Sequence, residues 1–132
     1  MTKDVNLNGA WYTLKYGVKL IESGGRGGRV VNISSAGGHA GTAHNLFGLG
    51  ASHYAVSKHA LNGLTQIMAL EYAPSKIRIN AIAPSAVETE NVTALIDGPD
   101  VEKSLSKYNF HLGNPLVLPG DYFTYILNLL NF

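Results

Sequence analysis

The sequence predicts an α/β fold built on a parallel sheet. Two observations carry this. Segments with an apolar period near 3.6 residues alternate with short β-branched runs, in the order helix, strand, loop, helix, strand. The first of those runs is apolar at nearly every position, as a buried parallel strand is.

The elements follow in chain order. Leu7, Trp11, Leu14, Val18 and Ile21 fall at four-three spacing and form one stripe of an amphipathic helix. Gly24 and Gly25 stop it, and "GGRGG" at 24–28 is a tight connection. "RVVNIS" at 29–34 is the first strand, with Asn32 its polar exception. A loop rich in Gly and His runs from Ala36 to about Ser52. A second helix is expected over 53–73, with Ser52 as N-cap. Its apolar residues Val56, Leu61, Leu64, Ile67, Met68 and Leu70 lie on more than one side, so heavy cover is expected. Pro74 ends it. "KIRINAIAP" at 76–84 alternates Ile77, Ile79 and Ala81 and forms the next strand, closed by Pro84. Residues 88–118 are turn-rich, and 119–132 reads as an apolar helix capped by Asp121. No repeat or low-complexity tract divides the chain, so one domain over 1–132 is expected.

Composition narrows the function. The chain has 132 residues, 45% hydrophobic and 14% charged, which is a globular balance. A net charge of +1 without a basic run argues against nucleic acid or an anionic membrane as partner. No apolar run approaches the roughly 20 residues that span a bilayer. "MTKDVNLNG" lacks the apolar core of a signal peptide, so a soluble, cytoplasmic protein is expected. The sequons at Asn32 and Asn91 then carry no meaning. With no cysteine and no metal-ligand spacing among its histidines, the chain is expected to bind no metal.

Two Tyr–Lys pairs repeat one spacing: Tyr54 with Lys58 in "YAVSK", and Tyr72 with Lys76 in "YAPSK". Residues four apart share a helix face. An ammonium beside a phenol favours the phenolate, which makes tyrosine usable in acid–base chemistry near neutral pH. Pro74 breaks the second pair, so only Tyr54 and Lys58 are expected on one face. The strand at 29–34 leads into Ser34 and Ser35, and the strand at 76–84 runs out into "APSAVET". Ligands of parallel α/β sheets bind outside the carboxyl ends of the strands. A hydroxyl, a phenol and an ammonium are thus expected to converge there, where they would polarise a carbonyl oxygen and pass it a proton.

These residues resemble the short-chain dehydrogenase/reductase family, with four motifs in the family's order over 4–91. "DVNLNG" at 4–9 resembles the stretch with the active-site asparagine, here Asn6. "VVNISS" at 30–35 resembles the strand that delivers the serine, placed at Ser35 with Ser34 as second choice. "YAVSK" matches Tyr-x-x-x-Lys, and "RINAIAPSAVET" at 78–89 resembles the strand and loop that hold the nicotinamide. The tail, 92–132, matches weakly. The resemblance implies a partial Rossmann-like, doubly wound parallel sheet and an oxidoreductase using NAD or NADP on a secondary alcohol or its ketone. It implies that Tyr54 exchanges the substrate proton and that Lys58 lowers the tyrosine pKa and bonds the nicotinamide ribose. Ser35 would bond the substrate oxygen, and Asn6 would hold a water that links the lysine to solvent. Pro84, Ser85, Val87 and Thr89 would meet the nicotinamide, the last two through backbone and hydroxyl. Asn6 as a helix cap and Thr89 as a turn cap are the plainer readings.

Three departures stand beside the resemblance. The interval from Ser35 to Tyr54 is longer than usual, with an insertion in "GTAHNLFGLGAS". Ser85 stands where the family usually has glycine, a form similar to the subgroup that includes carveol dehydrogenases, which implies a hydrophobic substrate. The glycine-rich phosphate loop of the family has no counterpart, because "GGRGG" follows a helix and precedes a strand and "GLG" at 48–50 lacks a third glycine. The resemblance therefore covers the C-terminal half of the fold, without the dinucleotide fingerprint. Two functions follow: an oxidoreductase, or a truncated non-catalytic remnant unable to hold a dinucleotide alone. The helices at 8–23 and 53–73 often pair between subunits in the family, so a homo-oligomer is expected. Their stripes are otherwise plain core.

Overall fold

The computed structural model describes residues 2–39, 52–84, 86, 87, 116 and 117. The expected cap and helix at 119–132, all of the insertion at 41–52 but Ser52, and Ser85 and Thr89 lie outside the described residues.

The chain opens with a π-helical segment, Asp4–Gly9, that runs directly into helix α1, Ala10–Ser23. The π turn is wider than an α turn, and such turns are frequent at functional sites. The expected stripe is buried only from Leu14 onward. Leu14 and Val18 are buried and Ile21 packs beside them, whereas Trp11 is 42% exposed. Gly25, at φ 67°, ends α1 in the left-handed region that glycine enters without penalty.

Strand β1, Gly28–Ile33, pairs in parallel with β2, Ile77–Ile82, from Gly28 opposite Ile77 to Ile33 opposite Ile82. Between them, helix α2 spans Ser52–Tyr72. Ser52 is its first helical residue and not the cap expected from sequence. The helix stops as expected at Pro74, which sits in a 3-10 turn, Ala73–Ser75. Lys76 then takes a left-handed conformation, φ 58°. Tyr72 and Lys76 therefore share no helix face.

Side chains alternate across the sheet because the strand period is two. Val30, Ile77 and Ile79 join Leu14, Val18, Ile21, Leu64, Met68, Ala69 and Tyr72 in one core. Asn32 shares that face, where its amide donates to the Thr65 hydroxyl at 2.8 Å. On the opposite face Arg29, Ile33, Arg78 and Asn80 are exposed, while Ile82 at the strand end is buried. Both described helices cover the same side of the sheet, so β1 is not buried on both faces as its composition predicts. Cover of α2 is also one-sided: Leu61 and Met68 are buried, while Val56, Ile67 and Leu70 are exposed. A second two-stranded parallel sheet pairs β3, Ala86–Val87, with β4, Leu116–Val117. Neither short strand is anticipated by the sequence pattern.

Candidate active site

The site forms where β1 and β2 end. Their pairing continues past the strands: Ser34 N–H donates to Ile82 O at 2.7 Å, and Ala36 N–H to Pro84 O at 2.8 Å. Ser34 and Ser35 thus leave the sheet beside Ala83 and Pro84. Ser34 is buried, and its hydroxyl points into α2 with Lys58 O 3.4 Å away. Ser35 is half-buried and extended, and caps a 3-10 turn, Ala36–Gly38. Its Oγ accepts from Gly37 N–H at 3.2 Å. A hydroxyl has one hydrogen and two lone pairs. The bond from Gly37 occupies a lone pair and leaves the hydrogen for another acceptor.

Tyr54 and Lys58 lie on the first turns of α2, one helical turn apart as their spacing requires. The Lys58 ammonium donates to Ile33 O at 2.8 Å and stands 5.7 Å from the centre of the Tyr54 ring. That separation is within reach of a cation–π attraction. Burial lowers the Lys58 pKa below the usual lysine value, because desolvation penalises the charged form. Tyr54 as a whole residue is 38% exposed.

Asn6 sits in the π-helical segment. Its amide donates to the Ser57 hydroxyl at 3.2 Å, and that hydroxyl donates to Tyr54 O at 2.7 Å. The π segment is thereby clipped to the turn of α2 that carries Tyr54. Sequence reasoning missed Ser57, although its place three residues after Tyr54 puts it on the same helix end. It also missed Gly38. A Cβ on Gly38 would fall 2.9 Å from the Lys58 carbonyl carbon and oxygen. Only glycine lets the serine turn lie this closely on the lysine turn of α2.

The structure therefore brings Ser35, Tyr54, Lys58 and Asn6 onto elements in direct contact at one end of the sheet. Pro84 borders the same end, half-buried. Val87 enters as the second residue of β3, described by its backbone alone. His53 and His59 flank this end and are exposed.

These residues suit the nicotinamide and ribose of a dinucleotide better than its phosphates. Lys58 keeps two of its three N–H donors after serving Ile33. "GGRGG" is no phosphate cradle: a Cβ on Gly27 would meet Lys76 O at 2.6 Å, so that loop is already filled by backbone. The cleft of about 500 Å³ beside it, lined by Arg26, Arg29, Lys76 and Arg78, opens at the other end of the strands.

A family model described as Enoyl-(Acyl carrier protein) reductase matches residues 1–127. A short-chain dehydrogenase/reductase of Armillaria gallica is 41% identical over 122 residues, 89% of this chain and 44% of the relative. The chain belongs to the short-chain dehydrogenase/reductase family. Among its relatives, (-)-trans-carveol dehydrogenase of Rhodococcus erythropolis is 41% identical over 103 residues, 75% of this chain and 35% of the relative. The crystal structure of carveol dehydrogenase from Mycobacterium avium in complex with NAD superimposes with a TM-score of 0.79 at 34% identity, over 97% of this chain and 48% of that one. This short-chain dehydrogenase/reductase chain thus spans between a third and a half of the length of these relatives. The match places its sheet within a Rossmann fold.

Proposed function

We propose that this chain supplies the proton-transfer and nicotinamide-facing part of an NAD- or NADP-dependent oxidoreductase. The reaction interconverts a hydrophobic secondary alcohol and its ketone. The observation that carries this reading is the Lys58 ammonium, which bridges the end of β1 and the face of Tyr54.

When bound, the nicotinamide supplies the hydride donor or acceptor. The protein orients and moves a proton. In the direction of reduction the Ser35 hydroxyl donates a hydrogen bond to the ketone oxygen. The Tyr54 phenol donates its proton to the same oxygen as negative charge develops there. Lys58 sits beside that phenol, and its remaining N–H donors would hold the ribose. Asn6 fixes the turn that presents Tyr54 and holds the water that links Lys58 to solvent. Pro84 and Val87 would border the nicotinamide. Ser35 is favoured over Ser34 as the substrate contact because Ser34 is buried against α2. The carveol and cyclohexanol dehydrogenases among the relatives support a hydrophobic alcohol as substrate class.

Two copies are further proposed to associate through α1 and α2. Tyr12, Tyr16 and Leu20 form an exposed stripe on α1, and Val56, Ile67 and Leu70 one on α2.

The test replaces Tyr54 by Phe. Turnover of cyclohexanol or carveol is expected to fall about a hundredfold or more, while NADH binding, followed by nicotinamide fluorescence, stays near the parent level. Near-parent turnover in Tyr54→Phe sinks the assignment. A chain that binds no NADH, alone or with a fragment supplying strand, glycine loop and helix, supports the non-catalytic remnant instead.

A further inference from the structure

We propose that Asn62 is a positioning residue for Ser35. The inference rests on the functional reading above and concerns a residue to which that reading gives no part.

Asn62 lies one helical turn beyond Lys58 on α2 and is buried. A buried amide must place both its halves, and only one half of this one is placed. Nδ2 donates to Gly38 O at 2.9 Å and lies 3.4 Å from His39 Nε2. Oδ1 is buried with no partner among the described residues. Leucine has the same branched outline, though it is bulkier, and would carry no such penalty. The fold keeps an amide here for its donor half, and that half is aimed at the serine turn.

The turn converts this one bond into control of the hydroxyl. Gly38 N–H donates to Ser35 O at 2.8 Å, and Gly37 N–H donates to Ser35 Oγ at 3.2 Å. Asn62 holds the far end of the turn, Gly38 touches α2, and the near end fixes Ser35. Losing the Asn62 donor frees Gly38 O and loosens the turn. Gly37 N–H then no longer occupies a fixed lone pair of Oγ, and the hydroxyl hydrogen loses its preferred direction. Asn62 touches neither substrate nor cofactor. It acts through residues 37 and 38.

The test uses Asn62→Leu, which keeps the branched outline and removes both polar atoms, and Asn62→Asp, which keeps size and shape and removes the donor. The first readout is amide hydrogen exchange by NMR. Exchange at Gly37 and Gly38 is expected to quicken about tenfold or more in both variants, while amides in the middle of α2 keep their protection. Unchanged exchange at Gly37 and Gly38 overturns the proposal, as does equal loss of protection along α2. The second readout is a double-mutant cycle. Asn62→Leu is expected to lower kcat about tenfold with cofactor binding unchanged, and to lower it no further in a Ser35→Ala background. A loss that persists undiminished in that background means that Asn62 does not act through Ser35. If Ser35→Ala itself leaves turnover at the parent level, the catalytic reading fails, and exchange at Gly37 and Gly38 alone decides the positioning.

Discussion

The Lys58 ammonium is bonded to the carbonyl of Ile33, the last residue of β1, at 2.8 Å. One side chain therefore joins the helix that carries Tyr54 to the strand that delivers Ser35. The bond satisfies one ammonium hydrogen, but burial still leaves the charge less solvated than in water. Unfolding returns Lys58 to water and to an ordinary pKa of about 10.4. Between its lowered folded pKa and that value, the unfolded chain binds more protons than the folded one. Stability contributed by this group rises with pH across that window. The penalty is fully present below the folded pKa and is relieved as the pH passes the ordinary value.

Lys58→Met removes the titrating group and isolates the effect. The difference in urea midpoint, parent minus variant, is expected to rise as the pH passes from the lowered folded pKa toward the ordinary value of about 10.4. A difference that is flat or falling would show that the ammonium is not desolvated in the folded chain. In the same variant, binding of NADH should weaken together with turnover, because the ribose loses its donor.

Gly38 lies so close to α2 that any side chain must displace backbone. Gly38→Ala places a methyl 2.9 Å from the Lys58 carbonyl. Overpacking against a helix backbone costs about 1–3 kcal/mol. The variant is expected to lose that much in urea denaturation and to lose turnover through the shifted Ser35. Full stability with full turnover would mean that the serine turn rides on α2 with room to spare.

Ile77 sets the scale of the core. It is 1% exposed and packs with Leu14, Val18, Met68 and Ile79. Ile77→Ala is expected to cost about 2–5 kcal/mol, a large share of the 5–15 kcal/mol typical of a domain. The far-ultraviolet circular dichroism of the variant should show partial unfolding at 37 °C. A melt within a few degrees of the parent would place Ile77 outside the cooperative core.

The parts legible in the sequence are those set by local physics. Alternation at Ile77 and Ile79 and the stripe from Leu14 to Ile21 reproduce the strand and helix that form, within a residue or two at their ends. Pro74 separates the Tyr72–Lys76 pair because a proline acts on its own neighbours. The parts that were not legible depend on distant contacts. Periodicity puts Val56 and Leu70 on a helix face without saying what covers that face. The π turn at Asp4–Gly9 has no compositional mark. Ser34 and Ser35 differ only in which side of the sheet edge they face, which the pairing to Ile82 and Pro84 decides. Asn62 reads as an ordinary polar helix residue, since its partner Gly38 is 24 residues away.

The outer faces of the two helices carry the last prediction. Leu20 is 75% exposed on α1, and Ile67 and Leu70 are 65% and 80% exposed on α2. Val56, Ile67 and Leu70 recur at intervals of eleven and three, which keeps them on one helix face. Burying one such side chain gives about 1.5–3 kcal/mol, so several must be buried together across two copies to offset the roughly 4–15 kcal/mol that association costs. Sedimentation velocity of the chain at tens of micromolar is expected to show a dimer or larger assembly. Leu20→Lys with Leu70→Lys is expected to give a folded monomer, because each lysine would have to lose its hydration to re-form the contact. A parent chain that sediments as a monomer at every concentration would show that these stripes do not join two copies.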